Sequence, residues 1–434
     1  FYAVPSAALP ARRTVAGGRP AARLTGTGGR GVAVGELPTL SVARRLLGLI
    51  ADGAARRGER GLLRGVPFSR AAVRLARSRS FPIRPMGVEQ SHTSLAIGPA
   101  SVLKIFRELS RGDNPDVSIP RYLGAGRARP LVPAPLGMVV YERRGWPTTV
   151  IASLNRFVPN EGDAFGWFVA RLRRAGTRPP PLRREVTNLA RDVADLHLAL
   201  ARGPADPRFA PAPVRSSDVR RWEDHARGEL ETLLERLSRW RPRTSAGRTA
   251  LFVRGHADRL LARTASIRRA RREGLEKIRV HGDLHLGQLL VTPRGYVVLD
   301  FEGEPARPLS ERRGKRIALK DVGGLLRSFD YAAHSALASG PRADDRAAVA
   351  AARRWSRAAA VTFLEGYRRR ISAGSGPRRL LPRDPSSLEE LTRFFELEKA
   401  VYEVRYELDH RPDWVEVPLR ALADLAGAPS DGSS

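Results

Sequence analysis

From Val186 to Leu200 apolar residues return every three or four positions (Val186, Leu189, Val193, Leu196, Leu200), which predicts a helix over 182–200 with one face turned to a core. A shorter helix is expected over 40–53, where Leu46, Leu47, Leu49 and Ile50 share a face. Near residue 81 the period changes. Residues 83–89, 94–97 and 100–106 read as strands of a small antiparallel sheet. Pro130, Pro133 and Pro135 mark a loop, after which 136–141 and 148–158 read as two more strands. Beyond Gly162 the pattern is mainly helical. Segments 217–240 and 246–272 predict two long polar-faced helices able to pair as a hairpin, and helices resume from Leu319. Between them lies one β-hairpin: Leu289-Leu290-Val291, the turn Thr292-Pro293-Arg294-Gly295, and Tyr296-Val297-Val298-Leu299. No repeat of solenoid period occurs. The expected class is α+β, a sheet-rich lobe followed by a larger helical lobe.

Composition narrows the chemistry. The 434 residues hold no cysteine, which excludes disulfide scaffolds, thiolate zinc sites, iron–sulfur clusters and cysteine nucleophiles together and fits a reducing, cytoplasmic setting. No apolar run approaches the roughly 20 residues of a membrane span, so no membrane partner is expected. The chain begins at Phe1 without methionine, and some native N-terminus is expected to be missing. Formal net charge is +31, which alone would point to nucleic acid or an anionic surface. Yet only five of the 76 basic residues are lysine, at 104, 277, 315, 320 and 399. So strong an arginine bias, with abundant Ala and Gly, looks like GC-rich coding. The charge is also uneven: residues 1–80 carry 15 Arg against 3 acids, while 396–434 carry 9 acids against 4 bases. Without a basic helix, zinc finger or RNP-type aromatic motif, nucleic acid is not the expected partner.

The informative segment is His281-Gly282-Asp283-Leu284-His285-Leu286-Gly287-Gln288, followed by the hairpin and by Asp300-Phe301-Glu302-Gly303. Phosphoryl transfer needs a carboxylate at the acceptor hydroxyl and oxygen ligands that hold magnesium on the nucleotide phosphates. Protein kinases place a catalytic Asp and a metal-binding Asn five residues apart, and begin the motif after the next hairpin with a metal-binding Asp. Asp283 and Gln288 have that separation, and Asp300 has that place. Asp283 is the expected catalytic carboxylate; Gln288 and Asp300 are the expected magnesium ligands. His281 and His285 are general bases or zinc ligands by type, but a Gly-containing loop without an intervening Glu favours loop-fixing roles.

Lys104, in Val102-Leu103-Lys104-Ile105-Phe106, sits mid-strand in a chain that otherwise uses arginine, as expected of a point charge that reaches nucleotide phosphates. Gln90, Ser91, Thr93 and Ser94 lie in the connection between the first two strands of the small sheet, where a phosphate-covering loop belongs. Phe157 and Val158, in the hinge 155–160, are the expected backbone contacts of adenine. ATP and Mg²⁺ are therefore the expected cofactors.

Several segments together resemble the actinobacterial maltokinases: Gly87-Val88-Glu89-Gln90-Ser91, Val102 to Phe106, Asn114-Pro115-Asp116, Asn155-Arg156-Phe157-Val158-Pro159, residues 281–311, Arg327-Ser328-Phe329-Asp330-Tyr331, and Tyr402 to Leu408 through Arg411-Pro412-Asp413-Trp414. The resemblance covers roughly residues 36–434 and is most specific over 281–331. It implies a bilobal protein-kinase-like (aminoglycoside phosphotransferase-like) fold. The implied domains are an N-terminal cap over 1–80, truncated and partly disordered at 1–35, a sheet-rich N-lobe with its hinge over 81–160, and a helical C-lobe over 161–434. It further implies ATP- and Mg²⁺-dependent phosphorylation of maltose at its anomeric hydroxyl on the route from trehalose to α-glucan, beside or fused to trehalose synthase. Glucosamine kinases, which form glucosamine 6-phosphate, share much of the pattern and stand as the alternative. A further alternative is a weakly active kinase-like protein whose basic N-terminal region binds an acidic partner. The chain departs from the family where a Glu is expected to pair with the lysine, because Ser118 stands there. Either Asp116 substitutes or the lysine is less firmly held.

For the sugar, Glu403, Tyr406 and Glu407 repeat at i, i+3 and i+4, which puts both acids and the ring on one helix face, and Trp414 follows a proline stop. With His285 and Arg327 these are the candidate substrate contacts, and an acidic pocket would also suit a protonated amino sugar. The alternative is an amphipathic terminal helix with solvated acids.

Overall fold

A computed structural model describes residues 7–10, 20–26, 29–34, 40–77, 81–88, 92–107, 109–124, 130–175, 181–203, 206–240, 244–304, 307–337, 345–374, 376 and 378–427. The chain divides into two compact units, Phe1–Pro159 with Pro305–Arg313, and Asn160–Glu304 with Gly314–Ser434.

The first unit is built on an antiparallel sheet of seven strands in the order Ala55–Arg57, Leu62–Pro67, Pro135–Glu142, Thr149–Arg156, Ser101–Phe106, His92–Ile97, Ile83–Val88. Alternation along these strands sends side chains to two different covers. Leu95, Ile97, Leu103, Ile105, Val139, Ala152 and Leu154 face the helix Leu40–Asp52, whose expected stripe of Leu46, Leu47, Leu49 and Ile50 is buried against them. Each buried Leu, Ile or Val among them contributes roughly 1.5–3 kcal/mol. On the opposite face Phe106, Val140 and Val150 pack with Val117 of the helix Pro115–Leu123. Lys104 lies on this second face because it alternates with Leu103 and Ile105. The sheet takes in strands on both sides of residue 80, where the sequence suggested a cap boundary. Before it, strands Ala7–Pro10, Pro20–Gly26 and Gly29–Val34 form a separate antiparallel sheet; the rest of 1–35 lies outside the described residues.

The second strand of the small sheet begins at His92, earlier than the expected 94. Register pairs His92 with Phe106 and β-branched Thr93 with Ile105, so both belong to the ladder and not to the connection.

The second unit is helical, with the hairpin Leu289–Thr292 and Gly295–Val298 in the expected register and turn. Phe329 packs edge-on against Phe168, Trp355 and Phe363 in one core. Another joins Leu230, Leu233, Val253, Leu260, Val404 and Leu419. The long helix expected over 246–272 is instead Ser245–Gly255, Ala257–Thr264, a 3₁₀ turn Ala265–Arg268 and Arg269–Arg272. Local side chains break it. His256 bonds the Phe252 carbonyl through Nδ1 and stacks on its ring, while Thr264 and Ser266 hydroxyls donate to the Leu261 and Arg263 carbonyls. Those bonds compete with a regular helix ladder. The helix Pro385–His410 starts as its sequence dictates, Asp384 capping Ser386 and Ser387 with proline at the first position, and it stops before Pro412. Among the described residues no helix is long and apolar enough to cross a membrane.

Candidate active site

The His281–Asp283 segment is irregular backbone, so its polar groups need partners from outside. Asp321, in the first turn of the helix Leu319–Leu337, supplies two: Oδ2 accepts from the His281 N–H and Oδ1 from the Gly282 N–H, each at 2.8 Å. Asp321 is fully enclosed. Burial pushes its carboxyl up, but bonds from His197 and the loop outweigh this and hold it below the usual carboxylate range. An ionised Asp321 only accepts, so His197 Nε2 donates to it at 3.0 Å, and the Tyr367 hydroxyl, kept protonated by burial, donates to Nδ1 at 2.6 Å. The helix approaches this closely because residue 324 is glycine: a Cβ there would sit 2.7 Å from the Leu284 carbonyl. Gly282 adopts φ +88°, which only glycine takes without strain.

His281 fixes the loop, as expected. Its Nε2 donates to the Leu299 carbonyl at 2.7 Å and its Nδ1 accepts from the Asp283 N–H at 3.2 Å, so one imidazole joins Asp283 to the residue preceding Asp300. His285 likewise caps the turn Leu286–Gln288, accepting from the Gly287 N–H at 3.1 Å. Burial lowers its basicity. The structure thus gives His285 Nδ1 the loop-fixing contact expected of it.

Asp283 Oδ1 accepts from Lys399 Nζ at 2.6 Å. Burial pushes this carboxyl up, but the Lys399 ammonium outweighs it, and Asp283 is held well below the ordinary range. Among the described residues Oδ2 has no hydrogen-bond partner, and the side chain stays 15% exposed.

Gln288 Nε2 donates to Asp300 Oδ2 at 3.1 Å, which leaves the amide carbonyl oxygen as the atom suited to a cation. Glu302 offers a further carboxylate oxygen within 4.8 Å of one from Asp300. A donor set of carboxylates and an amide oxygen fits a hard divalent cation. Asp300 is held at φ +60°, a left-handed conformation that costs a non-glycine residue of order 1–3 kcal/mol and is typical of functional sites.

In the first unit Lys104 Nζ meets Asp116 Oδ2 at 2.8 Å, both side chains nearly buried. Asn114 caps the helix by accepting from the Asp116 N–H, which fixes Asp116 in the first turn. Ser118, two residues on and so about 200° around the helix, donates to Asp113 instead. The Lys104 ion pair is therefore made by Asp116. We expect Asp116→Asn to cost roughly 1.5–3 kcal/mol in urea unfolding, the worth of a charge-assisted bond, and Ser118→Ala about 1 kcal/mol; equal costs would remove Asp116 from this role.

Ser94 stands beside Lys104 in register. Thr93 is buried and accepts two bonds from Arg107, so the structure places it in the ladder and not in a phosphate loop. Gln90 and Ser91 lie outside the described residues. Phe157 and Val158 follow the strand Thr149–Arg156, with the Phe157 N–H donated to the Ala100 carbonyl.

The acids expected at the sugar are neither solvated nor idle. Glu403 is buried and bonded by Arg327, itself fully buried and also paired with Asp330. Burial raises the Glu403 carboxyl while Arg327 pulls it down. Glu407 accepts from the Tyr331 hydroxyl and from both arms of Arg411. Trp414 stacks on Tyr331, and Arg411 lies over the rings of Tyr406 and Trp414. Arg327 thus compensates a buried acid, and the others gather around Arg411 and Tyr331.

Sequence reasoning missed Asp321 and Lys399. Asp321 resembles any first-turn acid. Lys399 carried a signal in its rarity, since Lys104, Lys320 and Lys399, three of only five lysines, are all in buried ion pairs.

Residues 158–303 match the sequence model of the phosphotransferase enzyme family. The chain is 29% identical over 358 residues to a glucosamine kinase of Mycolicibacterium smegmatis, covering 79% of each protein. It is 27% identical over 427 residues to a glucosamine kinase of Streptacidiphilus jiangxiensis, covering 92% of this chain and 89% of that one. A glucosamine kinase solved in complex with glucosamine, ADP and inorganic phosphate superposes with a TM-score of 0.68 at 24% identity, over 93% of this chain and 86% of that one. The names of these relatives match the glucosamine kinase alternative of the sequence reading, and none of the three is named a maltokinase. The segment that holds Asp283, Gln288 and Asp300 thus matches the phosphotransferase enzyme family, and the chain shares the mixed α/β fold of the solved glucosamine kinase.

Proposed function

We propose that the protein is an ATP-dependent sugar kinase whose acceptor is glucosamine. One observation carries the reading: the helix Pro385–His410 brings Lys399 to the Asp283 carboxylate and then, one and two turns on, presents Glu403 and Glu407. The partner of the proton-accepting carboxylate and two acids, Glu403 held by Arg327 and Glu407 by Arg411 and Tyr331, thereby belong to one helix. The half-exposed Arg411 guanidinium on Glu407 is the group that a sugar ammonium would replace. The names of both curated relatives support the same acceptor.

Asp283 Oδ2 orients the acceptor hydroxyl and receives its proton as the oxygen–phosphorus bond forms and the bond to the ADP oxygen breaks. Gln288 and Asp300 would hold Mg²⁺, which when bound would neutralise charge on the triphosphate. Lys104, steadied by Asp116, supplies a point charge to the nucleotide phosphates.

The test is purified protein with Mg-ATP against glucosamine, maltose and glucose, scoring the phosphosugar by mass spectrometry. Glucosamine is expected to show a kcat/KM at least about tenfold above maltose, the worth of one charge-assisted contact. Preference for maltose would restore the maltokinase reading, and no turnover with any sugar would favour the weakly active alternative.

A further inference from the structure

Lys399 stands 116 residues from Asp283, on an element that the motif does not need. Its ammonium is buried. It meets Asp283 Oδ1 at 2.6 Å and Glu304 Oε1 at 3.8 Å, and lies 4.6 Å over the Tyr402 ring. Glu304 is shared with Lys320 at 2.9 Å; Lys320 also meets Glu398 at 3.3 Å, and Glu398 is held by Arg316 at 2.9 Å. The backbone of Arg316 bridges that of Ile278, just ahead of the His281–Asp283 loop. The alternating charges Asp283, Lys399, Glu304, Lys320, Glu398 and Arg316 therefore close a ring through the second unit and return to the segment that carries Asp283.

We propose that Lys399 is a positioning residue for phosphotransfer, clamping Asp283 Oδ1 so that Oδ2 is the oxygen turned to the acceptor, and tying the Asp283 loop to the segment after Asp300 through Glu304. The inference rests on Asp283 as the acceptor-side carboxylate. A carboxylate anchored only through its backbone can rotate and exchange its oxygens; an ion pair at one oxygen stops this. Misplacement of a reacting group by even 1 Å can cost about 10²-fold in rate. Isolated burial of so many charges would be costly, but each is offset by an opposite neighbour. The groups facing Asp283 are Lys399 on the helix Pro385–His410, with Tyr402 beside it, and His281 and His285 of its own loop. Lys399 is the cation that most strongly opposes the effect of burial on Asp283. Removing it leaves burial in control, so the ionised form is lost at a higher pH and any acidic limb of activity moves upward.

The full-length chain is compared with Lys399→Met and Lys399→Arg. The first readout needs no turnover: the Asp283 carboxyl carbon is titrated by ¹³C NMR, identified by its absence in Asp283→Asn. Lys399→Met is expected to raise the midpoint by about one unit or more, and Lys399→Arg to leave it near wild type. The second readout is kinetic. Lys399→Met should lower kcat about 10- to 100-fold with the KM for ATP within about threefold, and Lys399→Arg should recover most of the loss. An Asp283 midpoint unmoved in Lys399→Met would overturn the inference, as would kinetic loss that arginine does not rescue. If Lys399→Met does not fold, Lys399→Gln is read by the same titration. Should the wild-type chain phosphorylate no acceptor, the functional reading fails while the titration still decides the role of Lys399.

Discussion

Asp283→Asn is expected to lower turnover roughly 10²–10⁴-fold, the scale of a general acid–base group, while nucleotide binding survives. Asparagine keeps the size and one acceptor oxygen, but it cannot take the acceptor proton. It also leaves the Lys399 ammonium facing a neutral amide at 2.6 Å, so some loss of thermal stability should accompany the loss of rate. Steady-state kinetics with calorimetric ATP titration separates the effects. A variant within about threefold of wild type in kcat would remove Asp283 from the reaction. Because Lys399 holds the wild-type carboxylate well below its ordinary value against the opposing effect of burial, Asp283 should add no acidic limb to the rate between about pH 5 and 8.

The second large effect is expected at a residue outside the motif. Asp321→Ala leaves the His281 N–H, the Gly282 N–H and His197 Nε2 without their shared acceptor, all in a buried site. Breaking a buried charged cluster in this way costs roughly 3–5 kcal/mol, measurable as a fall in the urea midpoint. The pH dependence has a definite sign. The folded carboxyl lies below its unfolded value, so its contribution is present above about pH 4 and is lost as the solution is acidified through the folded value. Where Asp321→Ala still folds, the loosened loop should also lower kcat about 10²-fold. Unchanged stability and rate would mean that the loop is held elsewhere.

Much of the site was legible because the parts that carry it are close in sequence. A catalytic-type loop, a two-residue turn and the acid after the hairpin must keep fixed spacing, since the backbone between Asp283 and Asp300 has little slack. Lys104 was legible for a different reason, as a residue type the chain otherwise avoids. The lysine's acidic partner was left open between Asp116 and an absent ion pair. Helix phase decides it, because the Asn114 cap sets which first-turn residue faces the sheet, and Ser118 falls about 200° away. Spacing puts Glu403 and Glu407 on one face of their helix but does not reveal that they are buried. Their burial depends on Arg327 and Tyr331 from another helix, which no local spacing encodes.

The order of chemical groups along the chain, the α+β class and the hairpin register were determined by periodicity and turn chemistry alone, since these act over a few residues. The partners of charged groups were decided only by tertiary structure. Lys399 reaches Asp283 across 116 residues, and Asp321 reaches Gly282 across 39, because the helix Leu319–Leu337 comes close to the helix Pro385–His410 at Gly323 and to the Leu284 carbonyl at Gly324. An ion pair depends on distance in space, and separation along the chain says nothing of it until the core has formed.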